Sequence, residues 1–242
     1  MTTRRPGRFW VVTLAAALGV AATLALGAWQ WGRAADKLAL QAAIEQRQAL
    51  PPVDLRTLLA TGGSPGNLHR PVILRGTWIA QHTVFLDNRQ MRGKPGFYVV
   101  TPLRLEGGPE AVLVERGWVQ RNFVEREKLP AIATPAGPVE LKGRLAPPPA
   151  KLYEFAGADK GPIRQNLDLG AFRAETGLAL QPFAVQQAGE ASEGLVREWP
   201  QAATGVEKHY GYAFQWWALA ALIAILYAWF QFIAPRRKAR HA

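Results

Sequence analysis

Two long uncharged apolar runs, one near each end of the chain, constrain the fold more than any other feature. The first covers residues 9–32 and the second residues 210–234, and neither contains Asp, Glu, Lys or Arg. A helix of about 20 apolar residues is long enough to cross the hydrocarbon core of a bilayer. We therefore expect two transmembrane helices, over residues 9–32 and 209–234, with the rest of the chain between them.

The charged residues predict how these helices are oriented. Of the 29 basic residues, seven lie at the two ends of the chain: Arg4, Arg5, Arg8, Arg236, Arg237, Lys238 and Arg240. The middle, residues 33–208, holds the other 22 and all 18 acidic residues, a net charge of +4. Basic flanks mark the cytoplasmic side of a membrane. Residues 1–8 and 235–242 are therefore predicted to be cytoplasmic, and residues 33–208 form one exported domain.

The same distribution indicates the compartment and the partners. The start of the chain lacks the Arg-rich and Ser-rich amphipathic character of a mitochondrial transit peptide. The expected location is thus a bacterial inner membrane, with the exported domain in the periplasm. Although the net charge is +11, the excess lies at the ends rather than along a folded domain. Membrane lipid is therefore an expected partner, and nucleic acid is not.

A cleaved signal peptide is the alternative interpretation of the first apolar run. Basic residues precede the run, and Ala25-Leu26-Gly27 could precede a cleavage site. The apolar region of a signal peptide is usually about 7–15 residues long, and this run is longer. Trp29 and Trp31 at its end resemble an aromatic anchor at the membrane interface. We therefore expect a retained membrane anchor.

The exported domain is predicted to be mainly β-structure. Residues 33–49 contain no Gly or Pro and should continue the first helix until Pro51 and Pro52 stop it. β-Branched and aromatic residues predict strands at 70–79, 82–89, 96–105, 110–119, 138–146 and 181–188. Pro102 places its strand at an edge or at a bulge, because proline cannot donate to a ladder. A long loop follows over 147–165, and then Asp168 caps a short helix that ends at Gly177. The expected fold is two transmembrane α-helices flanking a mainly antiparallel β (α+β) domain.

The residue types exclude several kinds of chemistry. The chain has no cysteine and two methionines, which excludes a disulfide framework and metal sites built from thiolates or paired thioethers. Residues 62–66 fit the G-x-S-x-G pattern of hydrolase nucleophiles. That motif needs a strand before the serine, a helix after it, and a backbone N–H on the next residue. Pro65 has no N–H and the flanks are typical of loops, so Ser64 is predicted to lie in a turn. No enzyme activity is expected.

His209 stands at the start of the second apolar run, where a titratable and metal-binding side chain is unusual. If the helix begins near Lys208, then His209, Tyr212, Ala213 and Trp216 share one helical face. An imidazole, a small residue and two flat rings suit a planar apolar cofactor such as haem, with neutral imidazole binding the iron. The alternative is an interfacial face without a ligand, since His, Tyr and Trp all suit the headgroup region.

Four segments of the chain carry recognisable motifs. Residues 26–37, "LGAWQWGRAADK", contain a W-Q-x-x-R segment, and residues 209–217, "HYGYAFQWW", contain an H-x-x-Y-A-x-x-W segment. Together with the strands at residues 94–103 and 112–119, they resemble the surfeit locus protein 1 family, whose members are assembly factors of cytochrome c oxidase. The matching positions are Gly27, Trp29, Gln30, Arg33, Lys37, Arg116, Gly117, Trp118, His209, Tyr212, Ala213 and Trp216.

The resemblance implies a non-enzymatic haem chaperone that aids maturation of the oxidase. It implies that haem a binds at the outer membrane interface, with His209 as an axial ligand of the iron. Tyr212 and Trp216 are then expected to shape the site and Trp29 to close it on the side of the first helix. Cations at the same interface, Arg33, Lys37 or Lys208, are expected to pair with the propionates. The implied partners are the catalytic subunit of the oxidase or other assembly factors. A scaffold that stabilises an assembly intermediate without haem is the alternative function.

Overall fold

A computed structural model describes residues 6–125, 128–152, 160–200 and 205–240. Part of each predicted cytoplasmic end, residues 1–5 and 241–242, lies outside the described residues, as does 153–159 in the predicted loop. The helices are α1 (Pro6–Gln48), α2 (Leu55–Thr61), α3 (Leu169–Thr176), α4 (Val206–Ala228) and α5 (Ala234–Arg240). The strands are β1 (Pro71–Trp78), β2 (Val84–Met91), β3 (Lys94–Leu105), β4 (Glu110–Gln120), β5 (Pro138–Ala146), β6 (Ile163–Arg164) and β7 (Ala179–Gln187).

The chain divides into two compact units. The first consists of Met1–Ala43 with Gln201–Ala242, and the second of Ile44–Pro200. Two helices, Gly7–Gln48 and Val206–Arg237, are long and apolar enough to cross a membrane. The structure therefore has the predicted fold class, with long apolar helices from the two ends of the chain and a mostly antiparallel sheet between them in sequence. The prediction that the first helix continues beyond the apolar run is also confirmed, because α1 ends at Gln48.

The first unit, which we call the helical hairpin, consists of α1 up to Ala43 packed antiparallel against α4. Near the basic ends of the two helices, the hydroxyls of Thr13 and Tyr227 are 2.8 Å apart. At the other end, Gln30 of α1 contacts His209 of α4. The least exposed positions of α1 alternate in steps of four and three residues, the spacing of a left-handed helix pair. They are Phe9, Thr13, Ala16, Val20, Thr23, Gly27, Gln30, Ala34, Lys37 and Gln41.

Small residues at the seam bring the two helices close together. Ala34 and Ala213 are fully buried although they lie in helices whose large apolar side chains are mostly exposed. A Cβ atom at Gly27 would overlap the indole of Trp217, so this ring lies directly on the backbone of α1. Small residues at helix–helix contacts and large apolar residues outside are typical of helices packed in a membrane.

The helix from the second apolar run does not stop at Pro235. Residues Trp229–Ile233 form a π-helical turn, in which the N–H of Ala234 bonds to the carbonyl of Trp229, and α5 follows directly. A proline in a helix clashes with the carbonyl four residues earlier, here that of Gln231. The wide turn contains this carbonyl, which explains how the helix accommodates Pro235.

The second unit is a closed β-barrel with an extension. Strands pair in the ring β1-β5-β7-β4-β3, and a pairing between β1 and β3 closes it. Strand β2 extends the sheet from β3, and the short β6 pairs with β2. Gly76 of β1 lies where the ring closes, and a Cβ atom there would overlap the carbonyl of Arg104 on β3. Of the pairings between described strands, β4–β7 and β2–β6 are parallel and the other five are antiparallel.

Alternating residues of the strands fill the barrel, and α3 covers part of its outside. The interior cluster includes Leu74, Leu103, Val114 and Phe183, all almost completely buried. A second cluster lies around Phe172 of α3, which packs on the outer face of the sheet. As predicted, Asp168 caps α3, its carboxylate accepting from the N–H of Ala171, and Gly177 ends the helix in a left-handed conformation.

Two details differ from the expected strands. Pro102 is not on an edge strand, because β3 lies inside the sheet, and the bulge of β3 against β4 lies earlier, between Val99 and Val100. It lies where the neighbour of β3 changes from β2, which pairs up to Val100, to β1, which pairs from Leu103. A residue without N–H is tolerated in this gap between partners. Strand β6 was not predicted, because two residues within a long loop carry no periodic pattern.

Candidate functional site

The helical hairpin brings together the end of the first apolar run and the start of the second. The amide oxygen Oε1 of Gln30 lies 2.7 Å from Nδ1 of His209. Both residues are partly buried and occupy the seam between the helices. Fully or nearly fully buried small residues, Gly27, Ala34 and Ala213, occupy the neighbouring seam positions. This close approach allows the short Gln30 side chain to reach the ring.

Only one nitrogen of the His209 ring is engaged in this way. Among the described residues, nothing hydrogen-bonds to Nε2. A neutral imidazole with one engaged nitrogen keeps the other available as a metal ligand. His209 is also the one histidine within the described part of the hairpin. The site therefore offers a single nitrogen ligand rather than a pair.

Three aromatic rings form a cluster on one flank of the hairpin at the same end. The ring of Trp31 lies 4.8 Å from Tyr210 and 5.8 Å from Trp217, measured between centroids. The indole N–H of Trp217 also points to the carbonyl of Leu24, at 3.4 Å. The sequence pattern did not predict this cluster, because Trp31, Tyr210 and Trp217 lie outside the face that contains His209. We call these three residues the aromatic flank.

The other residues proposed from the sequence lie around this end with different exposures. Trp216 is partly buried at the seam, in helical phase with His209. Tyr212 is 51% exposed and Trp29 is 58% exposed. Arg33 is exposed and Lys37 is partly buried, one turn apart on α1. By helical phase, Arg33 and Tyr212 lie on the flank opposite the aromatic flank. Their predicted role in binding haem stays a prediction.

The residues present fit a haem group in chemical terms. An imidazole nitrogen without a hydrogen-bond partner is able to bind iron. Exposed Tyr and Trp rings suit a flat apolar macrocycle, and Arg and Lys side chains are able to pair with its carboxylates. Among the described residues, no group of three or more His, Cys, Asp or Glu side chains could hold a free metal ion.

Comparison with known proteins identifies the family to which the chain belongs. A family model described as "SURF1 family" matches residues 17–221, which include most of both helices of the hairpin and all strands of the barrel. The chain belongs to the SURF1 family. The resemblance inferred from the four segments is therefore confirmed.

Relatives of this SURF1-family chain occur in bacteria and eukaryotes. A SURF1-like protein of Rickettsia bellii is 28% identical over 211 residues, covering 84% of this chain and 83% of that protein. A SURF1-like protein of Mycobacterium bovis is 28% identical over 246 residues, covering 98% and 88%. The cytochrome oxidase assembly protein SHY1 of Saccharomyces cerevisiae is 31% identical over 99 residues, covering 41% of this chain and 25% of that protein.

The Arg116-Gly117-Trp118 segment of the SURF1-family chain lies in the barrel and stabilises it. The guanidinium of Arg116 is fully buried, 4.7 Å from the ring of Trp78, and donates to Thr134, to the carbonyl of Ala133 and to Glu193. The indole of Trp118 donates to the carbonyl of Arg89. These contacts hold the segment before β5 and the segment after β7 onto the barrel.

A second buried ionisable side chain lies beside this segment. The carboxylate of Glu115 accepts from the amide of Gln186, whose oxygen in turn accepts from Arg144. Burial raises the pKa of Glu115, while the hydrogen bond from Gln186 and the charges of Arg89 and Arg144 oppose the increase. The sequence pattern did not single out Glu115, because a lone Glu in a strand resembles a surface residue.

The barrel unit offers no nucleophile site at Ser64. Helix α2 precedes this residue, and a short 3-10 turn, Pro65–Asn67, follows it. The hydroxyl of Ser64 lies 3.5 Å from the amide of Asn67, and Gly62 and Gly63 both have positive φ. Because no strand leads into the serine, the prediction of a turn is confirmed.

Proposed function

We propose that this SURF1-family chain is an assembly factor for haem-copper cytochrome c oxidase. It binds haem a at the outer interface of the membrane and aids its insertion into the catalytic subunit. His209 is the axial ligand of the iron. Tyr212, Trp216 and Trp29 contact the macrocycle, and Arg33 and Lys37 pair with its propionates. When bound, the haem is cargo, and the protein holds, orients and releases it without catalysing a reaction.

The observation that carries this proposal is the contact between Gln30 and His209. The two segments are 179 residues apart in sequence, yet their side chains meet within hydrogen-bonding distance. A seam contact that leaves one ring nitrogen free supports a ligand role better than a purely interfacial role. Family membership and the name of the yeast relative support the link to the oxidase.

A single protein ligand suits a carrier. A haem held by two histidines would be released slowly. With one imidazole ligand, the second axial position of the iron is left for the protein that receives the haem or for a weak ligand. The exposed rings of Tyr212 and Trp29 leave the site open to a partner in the membrane. The oxidase catalytic subunit or another assembly factor is the proposed partner.

The proposed location is a bacterial inner membrane, with both termini in the cytoplasm and the barrel in the periplasm. The basic ends support this orientation. A retained first helix is supported by its contacts with α4, since Thr13 and Gln30 both pair with residues of that helix. A reporter that fluoresces only in the cytoplasm, fused after Ala242, should be bright, and a periplasmic phosphatase fused there should be inactive. The reverse pattern would contradict the orientation.

The test of haem binding is an absorption spectrum. We expect the protein, purified in detergent from cells that make haem a, to carry a Soret band that His209→Ala lacks. Haem retained equally by both proteins would remove His209 as the ligand. Tyr210→Phe is a matched control at the next position, because it keeps the ring that contacts Trp31 and should keep the haem.

The alternative function is a scaffold that stabilises an oxidase assembly intermediate without haem. The observation that favours it is the single histidine in the described part of the hairpin, since many haem sites use two side-chain ligands. Absence of haem from the wild-type protein, together with co-purification of oxidase subunits, would favour the scaffold.

A further inference from the structure

Gln30 does more than join the two helices of the hairpin. Its amide oxygen, rather than its amide nitrogen, faces Nδ1 of His209 at 2.7 Å. We infer that Gln30 is a positioning residue, which accepts a hydrogen bond from Nδ1–H of His209 and thereby presents the lone pair of Nε2 for ligation. The inference deepens the proposed function, on which it rests for the identity of the ligand, but the hydrogen bond itself can be tested without haem.

The tautomer follows from the chemistry of the two groups. A neutral imidazole has one N–H and one nitrogen with a lone pair, and the hydrogen bond of one nitrogen decides the state of the other. A carbonyl oxygen can accept but not donate. Contact with Oε1 therefore requires the proton on Nδ1, and the lone pair is left on Nε2. Metal-binding histidines commonly have an outer partner of this kind, which fixes the tautomer and the ring orientation.

The position of Gln30 in the fold makes the orientation rigid. Gln30 and His209 lie on different helices, and the small residues Gly27, Ala34 and Ala213 at adjacent seam positions hold those helices close. The direction of the imidazole is therefore set by helix packing and not by the side-chain torsions of His209 alone. A site positioned by packed helices is more precise than a site on a loop.

The hairpin contains a matched control for a purely structural role. The hydroxyls of Thr13 and Tyr227 form another hydrogen bond between α1 and α4, 2.8 Å long, near the basic ends. Thr13→Val removes an interhelical hydrogen bond without touching His209. If Gln30 served only to hold the helices together, Gln30→Leu and Thr13→Val would have the same effects on the imidazole.

The first experiment reads the tautomer in the haem-free protein. Histidine labelled with 15N would be incorporated, and the ring signals recorded at a pH where the imidazoles are neutral, with the His209 signal assigned by its loss in His209→Ala. We expect the Nδ1–H tautomer in the wild type, in Thr13→Val and in Gln30→Glu, which retains an acceptor. Gln30→Leu should lose it. The Nε2–H tautomer in the wild type would mean that the amide donates to Nδ1, and would overturn the inference.

The second experiment measures ligation with haemin, iron protoporphyrin IX, as the probe. Loss of an outer partner typically weakens metal affinity by about 10–100-fold. We expect that loss for Gln30→Leu, near wild-type affinity for Gln30→Glu and Thr13→Val, and a larger loss for His209→Ala. Equal weakening by Gln30→Leu and Thr13→Val would overturn the inference. Unchanged binding by His209→Ala would instead refute the proposed ligand, while the tautomer experiment would still decide the role of Gln30.

Discussion

The barrel and the helical hairpin differ in which residues they bury. The barrel buries large apolar side chains, whereas the hairpin exposes them and buries small residues. In the barrel, large apolar side chains such as Leu74 and Phe97 are fully buried. In the hairpin, Leu14 and Leu18 are each 62% exposed, whereas Ala34 and Ala213 are fully buried. Burial of apolar side chains away from water stabilises the barrel. The hairpin gains no comparable stabilisation if lipid surrounds it, so close backbone packing and interhelical hydrogen bonds replace it.

The treatment of polar groups shows the same contrast. The barrel buries ionisable side chains, Arg116 and Glu115, each with hydrogen-bond partners on other segments. The seam of the hairpin instead contains neutral polar groups: Thr23 is buried, and Thr13 and Gln30 are partly buried. Charges are costly in hydrocarbon, whereas neutral hydrogen-bonding groups are affordable when paired. The two units therefore follow the rules of two different solvents, and substitutions should have opposite consequences in them.

The largest expected effect is the loss of a buried charge in the barrel. Arg116→Met should destabilise the barrel by about 3 kcal/mol or more, because Glu193 and several polar groups lose their buried partner. Hydrogen exchange by mass spectrometry, on the detergent-solubilised protein, reports the opening of barrel peptides separately from helix peptides. Arg75→Met is the control, because its ion pair with Glu140 is exposed, and it should change exchange little. Similar effects of both variants on exchange would show that the buried contacts of Arg116 do not stabilise the barrel more than an exposed ion pair does.

The next largest effect compares leucines in the two units. Leu74→Ala should cost about 2–5 kcal/mol in the barrel, because it leaves a cavity in a closed core. Leu18→Ala should change helix stability by no more than about 0.5 kcal/mol, because this side chain faces outward. The unfolding of each unit can again be followed by hydrogen exchange. Equal losses of stability in the two variants would contradict the conclusion that the barrel buries its large apolar side chains and the hairpin exposes them.

A smaller effect tests the close packing of the hairpin. Gly27→Ala should cost about 1–3 kcal/mol, because the added Cβ overlaps the indole of Trp217. Gly32→Ala on the same helix has nothing within 4 Å and should be neutral or stabilising, since alanine favours helix. Exchange protection of α4 peptides and the fluorescence of the tryptophans would report the difference. Identical behaviour of the two variants would mean that the Trp217 ring does not lie on Gly27.

The smallest effect concerns pH and the buried Glu115. Burial raises its pKa in the folded protein above the unfolded value, so the folded state holds its proton more tightly. Its contribution to stability is therefore fully present below the unfolded pKa and is lost as the pH rises through the folded pKa. Glu115→Gln cannot titrate, so its stability relative to wild type should increase between pH 4 and 8. A difference that is constant with pH would contradict the raised pKa.

Much of the fold could be predicted because its signals are local. The two apolar runs, the six longer strands and the cap at Asp168 depend on residues that are close in sequence. The ring closure between β1 and β3 could not be predicted, since Gly76 and Leu105 pair over 29 positions with no sequence sign of that partner. The parallel pairing of β4 with β7 was missed for the same reason.

The candidate site could be predicted in part. The 3.6-residue period placed His209, Ala213 and Trp216 on one face of a helix, and the structure has them in phase. The period cannot tell which residue of another helix faces that side. Gln30 was present in the quoted W-Q-x-x-R segment, but only the antiparallel packing of α1 and α4 shows that it meets His209. The aromatic flank could not be predicted for the same reason, because Trp31 of α1 contacts rings of α4, which is distant in sequence.

The wide turn before Pro235 also determines how the membrane segment ends. In a regular helix, residues eight apart lie about 80° away from each other around the axis. Because the π-helical turn absorbs one extra residue, Arg237 returns to the side of Trp229, and its guanidinium lies 5.2 Å from that ring. The guanidinium of Arg237 and the ring of Trp229 thus form a cation–π contact between two residue types that prefer the headgroup region. The proline and the wide turn before it therefore place Arg237 beside Trp229 at the end of the apolar helix.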